Sequence, residues 1–179
     1  MLITSHRHTS ADLELWRELE EADAASARLN RARIDRLAAE SSNEIARFAA
    51  SGDCYASTSW GKDSVVLCDL IHRHGVATGR PIPLVNLRVS PTRNPHCDDV
   101  RDAFFESRTH PYVEIPVDYG TVDPSLPVME WDRLTYKLWD AAWRRVDAGF
   151  GGRHLSGVRA EESRVRRLRT AVFGLSTGR

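Results

Sequence analysis

The sequence predicts an α/β protein: a single doubly wound, mostly parallel sheet preceded by an N-terminal helical segment. Three observations carry this reading. Strand-like runs recur at 53–58, 82–89, 112–117 and 153–158. The stretches between them exceed ten residues and carry apolar side chains at spacings of three and four, as helices do. Strands separated by such helices imply crossover connections, which set the strands parallel. A length of 179 residues suits one domain, long enough to bury about two thirds of its unfolded surface. The predicted division is a helical extension over 1–52 and an α/β core over 53–179.

In chain order, Thr9 or Ser10 can cap a helix beginning near Ala11, with Asp12 and Glu14 favourably placed in its first turn. Leu13, Trp16, Leu19 and Ala24 form one stripe and Ile34, Leu37, Ile45 and Phe48 a second, which two helices or one bent helix would satisfy. Gly52 closes the segment. After the first strand, residues 62–74 read as a helix closed by Gly75, with His72 and His74 in its last turn. Pro81 and Pro83 bracket the entry to the second strand, an apolar run suited to a doubly covered position. His96-Cys97-Asp98-Asp99 holds ligand-type side chains, but adjacent residues cannot all turn to one ion, so this reads as the start of a helix ending near Thr109. Residues 118–127 form a long loop marked by proline and glycine, a candidate mobile or functional segment. Trp131, Leu134, Leu138, Trp139, Ala142, Trp143 and Val146 then define a helix over 128–148, its tryptophans suited to a core or a subunit face. A fourth strand and a short basic helix over 160–168 follow.

Composition narrows the function classes. Twenty-five basic residues balance 25 acidic ones, so no global field recruits nucleic acid. The distribution is uneven, with seven arginines between Arg153 and Arg179 against Glu161 and Glu162, which suits either a polyanionic ligand or a solvated helix face. Apolar runs are too short to span a bilayer, and the N-terminus lacks the apolar core of a signal peptide, so a cytoplasmic protein without membrane contacts is expected. Cys54, Cys68 and Cys97 are widely spaced, which leaves no four-cysteine iron–sulfur or zinc site on this chain.

Ligands of parallel sheets bind outside the carboxyl ends of the strands, and attention falls on the loop after the first. Ser57-Thr58-Ser59-Trp60-Gly61 leads at once into a helix, so backbone N–H groups and a positive dipole end surround one small volume suited to phosphate. Lys62 adds a point charge, and only one other lysine, Lys137, occurs in the chain. The stretch is not an ordinary P-loop, which would need glycine at 56 and a hydroxyl residue at 63, where Ala56 and Asp63 stand.

Ser59-Trp60-Gly61-Lys62-Asp63-Ser64 instead resembles the S-G-G-K-D-S signature of the PP-loop ATP pyrophosphatases, with Trp60 in place of the first glycine. Further on, the segment from Ser156 to Arg167 resembles the G-x-R-x-x-E-S-x-x-R motif of the phosphoadenosine phosphosulfate (PAPS) reductase-like branch of that superfamily. The resemblance implies an adenine nucleotide α-hydrolase-like core with ATP, PAPS or adenylyl sulfate as ligand and Mg²⁺ beside it. It implies phosphate contacts from Ser57, Ser59, Trp60, Gly61, Lys62, Asp63 and Ser64, with Asp63 on the metal side. Adenine would rest at the end of the second strand, read by the backbone groups of Asn86, Leu87 and Arg88. Gly157 would allow close backbone approach, Arg159 would grip a phosphate or sulfate oxygen, Glu162 would orient an arginine, and Arg164 and Arg167 would hold the acceptor or the α-phosphate. Lys62, Asp63 and Arg159 are the expected catalytic set, for cleavage of ATP between the α- and β-phosphates and adenylation of an acceptor, nucleic acid among the candidates. The cysteine motif of the assimilatory reductases is missing, since no cysteine follows Cys97, and so is the tryptophan-containing segment usual beyond the fourth-strand motif. The alternatives are therefore a reductase using a partner's cysteine, or a non-catalytic nucleotide-binding subunit, with a homo-oligomer or a complementing subunit as partner.

Overall fold

In the computed structural model, residues 9–91 and 94–157 are described. Val158, predicted to end the fourth strand, and the predicted helix over 160–168 lie outside the described residues. The strands are β1 (Tyr55–Ser57), β2 (Leu84–Ser90), β3 (Tyr112–Asp118) and β4 (His154–Ser156). They form one sheet in the order β3-β2-β1-β4, every pair parallel. Five α-helices accompany them among the described residues: α1 (Ser10–Leu29), α2 (Arg31–Ala50), α3 (Lys62–Thr78), α4 (His96–Phe105) and α5 (Val128–Phe150). None of these helices is long and apolar enough to cross a membrane.

The N-terminal helices are settled by local chemistry. Thr9 caps α1 through a reciprocal box, in which the Asp12 N–H donates to Thr9 Oγ1 at 3.2 Å and the Thr9 N–H donates to Asp12 Oδ2 at 2.8 Å. A single residue separates the two helices. The Asn30 N–H donates to the Ser26 carbonyl and the Asn30 carbonyl accepts from Ile34, so the hydrogen-bond ladder runs through the irregularity. The stripe predicted on α1 does not become a core face, because no α1 residue is buried and Leu15 and Leu19 are half exposed. Apolar periodicity marks a face without supplying anything to cover it.

The compact unit that holds the sheet begins inside α2, between Ser41 and Ser42, earlier than the predicted boundary at residue 52. The reason is packing: Ile45 is buried with β1 and α3 residues, and Ala49 lies against the same cluster. Arg153, just before β4, secures the end of α2. Its guanidinium donates to the Phe48 carbonyl at 2.6 Å and to Ser51 Oγ, and stacks over the Phe48 ring.

Both faces of the sheet are covered. Ala56 and Leu84 join Cys68 and Ile71 of α3 and Phe104 of α4 on one face, whereas Tyr55 and Val85 pack with Val146 of α5 on the other. Alternation along β1 and β2 explains the division, since successive strand side chains point to opposite faces. The α5 stripe is as predicted, with Ala142 and Val146 buried and Trp143 packed against the sheet. The 118–127 loop is ordered by its own side chains: Asp118 Oδ1 accepts from the Gly120 N–H, Asp123 Oδ1 accepts from the Ser125 N–H, and Val122 is buried.

Helix α3 overruns its predicted end. Gly75 lies within the helix, and the chain terminates α3 at Gly79, whose φ of +66° is the left-handed cap conformation. The glycine at 75 is there for space. A Cβ on it would stand 3.1 Å from Pro81 Cα, so the missing side chain lets α3 press against the entry to β2. His72 and His74 are consequently mid-helix rather than in the last turn.

His72 faces His110, with ring centroids 5.6 Å apart, and Nε2 of His110 donates to the Ile82 carbonyl at 2.8 Å. Burial foremost, with the neighbouring His72, lowers the His110 pKa, and the bond to Ile82 only partly opposes this. The unfolded chain therefore takes a proton before the folded one does. Stability at this site is complete above the unfolded pKa of about 6.5 and is lost as pH falls below it, down to the folded value. Melting temperature should decline on acidification from pH 7 to pH 5, and the decline should be shallower for His110→Gln.

Candidate functional site

The strand order reverses between β1 and β4. From β1 the chain steps through α3 and α4 to β2 and β3 on one side, then returns through α5 to place β4 on the other side of β1. The carboxyl end of the sheet at such a reversal is the usual ligand position in open parallel sheets. Ser57 and Ser156 are register partners at that edge. Neither of two open clefts elsewhere, of about 430 Å³ along Asp23–Leu37 and about 400 Å³ between Tyr119 and Trp139, includes the loop after β1.

That loop spans 58–61. The Thr58 N–H continues the sheet by donating to the Val85 carbonyl at 2.9 Å, and Thr58 Oγ1 accepts the Trp60 N–H at 3.2 Å. Ser59 Oγ lies 3.4 Å from Ser64 Oγ, and Ser64 Oγ donates to the Gly61 carbonyl at 2.9 Å, which closes the loop onto the first turn of α3. Gly61 is the N-cap and brings no capping side chain, and the first loop-to-helix ladder bond is from Val65 to Gly61. The end of α3 is thus left to backbone groups and the helix dipole.

Lys62 is the first residue of α3 and is exposed, with no ion pair among the described residues. A cation at the positive end of a helix opposes the dipole, typically by about 0.3–1 kcal/mol. The loop's own amides are engaged internally, that of Ser59 with Ser64 Oγ, that of Trp60 with Thr58 Oγ1 and that of Gly61 with Ser59 Oγ, so it is the lysine and the helix dipole that favour an anion in front of them.

Gly157 completes the edge. A Cβ there would fall 2.6 Å from the Asp63 carbonyl oxygen and 2.9 Å from Ser64 Cα. The close approach expected of this glycine is therefore made to the backbone of α3, and it locks the end of β4 against the loop's helix. Arg159, Glu162, Arg164 and Arg167 themselves lie outside the described residues.

Two predicted site residues have other structural duties. The Trp60 indole is only 2% exposed and packs against Phe104, Phe105 and Tyr112 at centroid distances of 5.5–5.7 Å, so its side chain belongs to the core. Its backbone has φ +60°, a conformation usual for glycine, and among the described residues no other non-glycine residue has a positive φ. Arg88 projects from the face of β2 toward α4, where Nη1 meets Glu114 at 2.8 Å and Nη2 meets Asp98 at 3.5 Å. Its pKa is raised by the Glu114 hydrogen bond and by the charges of Glu114 and Asp98.

Asn86 and Leu87 lie just past the end of β1, since β1's last residue is opposite Val85. Leu87 turns to the α5 face. Asn86 is buried, on the face that carries the loop. Asp63 is the carboxylate nearest the loop, and no group of three metal-ligating side chains occurs among the described residues. A Mg²⁺ here would arrive on ligand phosphates and take one carboxylate from the protein, a set this cation accepts.

Cys68 is fully buried, and burial, partly offset by a hydrogen bond with Thr58, pushes its thiol up to about 11, which keeps it a neutral packing residue. Burial likewise raises Cys54. Sequence reasoning missed Tyr112, Glu114 and Arg101, which join Trp60 and Arg88 through side-chain hydrogen bonds. Only the alternation of Tyr112 with Glu114 on β3 hinted at a shared face.

Compared with family profiles, with curated proteins and with solved structures, the chain matches none.

Proposed function

We propose that this chain binds an adenine nucleotide at the carboxyl ends of β1 and β4 and cleaves ATP between its α- and β-phosphates, adenylating an acceptor with release of pyrophosphate. The observation that carries the reading is Lys62, an exposed cation with no ion pair among the described residues, held against the dipole at the glycine-capped end of α3, at the edge where the strand order reverses. The likeness of residues 59–64 to the PP-loop signature and of 156–167 to the PAPS reductase-like motif selects adenine nucleotide among phosphate ligands.

In this reading the first turn of α3 holds the β- and γ-phosphates, and Lys62 stabilises the charge that gathers on pyrophosphate as it leaves. Their value lies in being in place before the reaction. Asn86 and Leu87 border the adenine. Asp63 faces a Mg²⁺ carried on the phosphates, which would supply further charge neutralisation. Arg159, with Arg164 and Arg167, takes the α-phosphate and the acceptor, as the resemblance implies.

A reductase acting through a partner's cysteine is the second reading. The burial of Cys68, which keeps its thiol neutral, favours it over reduction by that thiol. A pyrophosphate-release assay with ATP and Mg²⁺ separates the readings. Lys62→Ala should slow release by about 100-fold or more, the scale for losing one preorganised charge-stabilising group. Equal release from both proteins defeats the adenylation reading. Tight binding of PAPS with negligible binding of ATP supports the reductase reading.

A further inference from the structure

An L-residue at φ +60° is strained, by about 1–2 kcal/mol, and Trp60 is among the bulkiest residues that could be held there. Something must hold it. The indole Nε1–H donates to Tyr112 Oη at 3.2 Å, and Tyr112 Oη donates to Glu114 Oε2 at 2.6 Å. Glu114 is fixed in turn by Arg88 Nη1 at 2.8 Å and by Arg101 Nη1 at 3.3 Å, and Asp98 bridges the same two arginines. Burial first, and then the bond to Glu114, raise the Tyr112 pKa to about 12, so the phenol stays protonated and keeps donating.

The parts of this network sit on four elements. Trp60 belongs to the loop, Arg88 to β2, Tyr112 and Glu114 to β3, and Asp98 and Arg101 to α4. β2 and β3 flank β1 as a wall, with Tyr112 opposite Leu84 and Leu84 opposite Ala56, so the phenol is level with β1 and the indole reaches back to it from the loop. A hydrogen bond from the Trp60 indole to that wall fixes the rotation of the side chain, and with it the left-handed turn of the backbone.

We propose that Trp60, Tyr112 and Glu114 are positioning residues, which hold the 58–61 loop in its left-handed form by anchoring the indole to the β3 wall. The glycine of the resembled signature reaches such a backbone by conformational freedom. This chain reaches it by a side-chain anchor, and the loop is stiffer for it. The identity of the ligand rests on the nucleotide-binding reading, whereas the anchoring of the loop does not.

The experiment compares full-length wild type with Tyr112→Phe, Trp60→Phe and the double variant. Tyr112→Phe keeps the ring and removes only the hydroxyl. Amide hydrogen exchange is measured without ligand, and affinity for Mg²⁺-ATP by calorimetry. Each single variant should raise exchange at Ser59–Gly61 by about 5- to 10-fold and weaken ATP binding by a similar factor, the scale of one hydrogen bond. The double variant should add little to either single one, since both remove the same link. Wild-type exchange at Ser59–Gly61 in Tyr112→Phe overturns the proposal, as does a rise spread evenly over α3 and α4. If wild type binds no ATP, the nucleotide reading falls, and the exchange comparison still decides the anchor.

Discussion

Gly157→Ala is expected to lower stability by about 3 kcal/mol, the upper range for forcing an extra carbon into packed structure. The added Cβ would meet the Asp63 carbonyl oxygen at 2.6 Å, its carbon at 2.9 Å and Ser64 Cα at 2.9 Å. All three are backbone atoms, so no side chain can rotate away, and either β4 or the first turn of α3 must move. In a chain of this size the loss corresponds to a fall of about 6–12 °C in melting temperature, read by calorimetry. The same displacement moves Lys62, so phosphate binding should weaken in the fraction that remains folded. Gly149→Ala is the control. That glycine lies in α5 with nothing within 4 Å of its would-be Cβ, and the substitution should stabilise the helix by about 0.5–1 kcal/mol.

The second large effect is at Trp60. Trp60→Ala removes a side chain that is 2% exposed and ringed by Phe104, Phe105 and Tyr112, at a cost of about 3–5 kcal/mol. Trp60→Gly loses the same contacts but relieves the left-handed strain. It should be the more stable of the two by about 1 kcal/mol, opposite to the usual order of alanine and glycine. Chemical denaturation of both variants reads the difference directly. If alanine proves more stable than glycine, the backbone at 60 is not held at positive φ.

Much of the fold was legible because its signals are local. Strand-like runs, crossover-length helices and the tryptophan stripe of α5 all follow from periodicity, and the Thr9 capping box from four adjacent residues. Misreadings arose where one residue type serves two purposes. Gly75 read as a helix terminator, yet it is a contact with Pro81, and the terminator is Gly79. The stripe on α1 marks one face of that helix, yet no α1 residue is buried. The partners of the Arg88 side chain, Asp98 and Glu114, were not legible, since strand alternation and the packing of α4 supply them.

By itself the sequence determined the α/β class, the position of the loop after β1, and the presence in it of an isolated lysine, since these depend on residues near one another in the chain. Only the tertiary structure decided that the loop stands where the strand order reverses, that Gly157 abuts Asp63, and that Trp60 is buried with its indole donating to Tyr112. Each of these joins residues at least 50 positions apart. Such contacts are set by strand order and close packing, which no local pattern of side chains encodes.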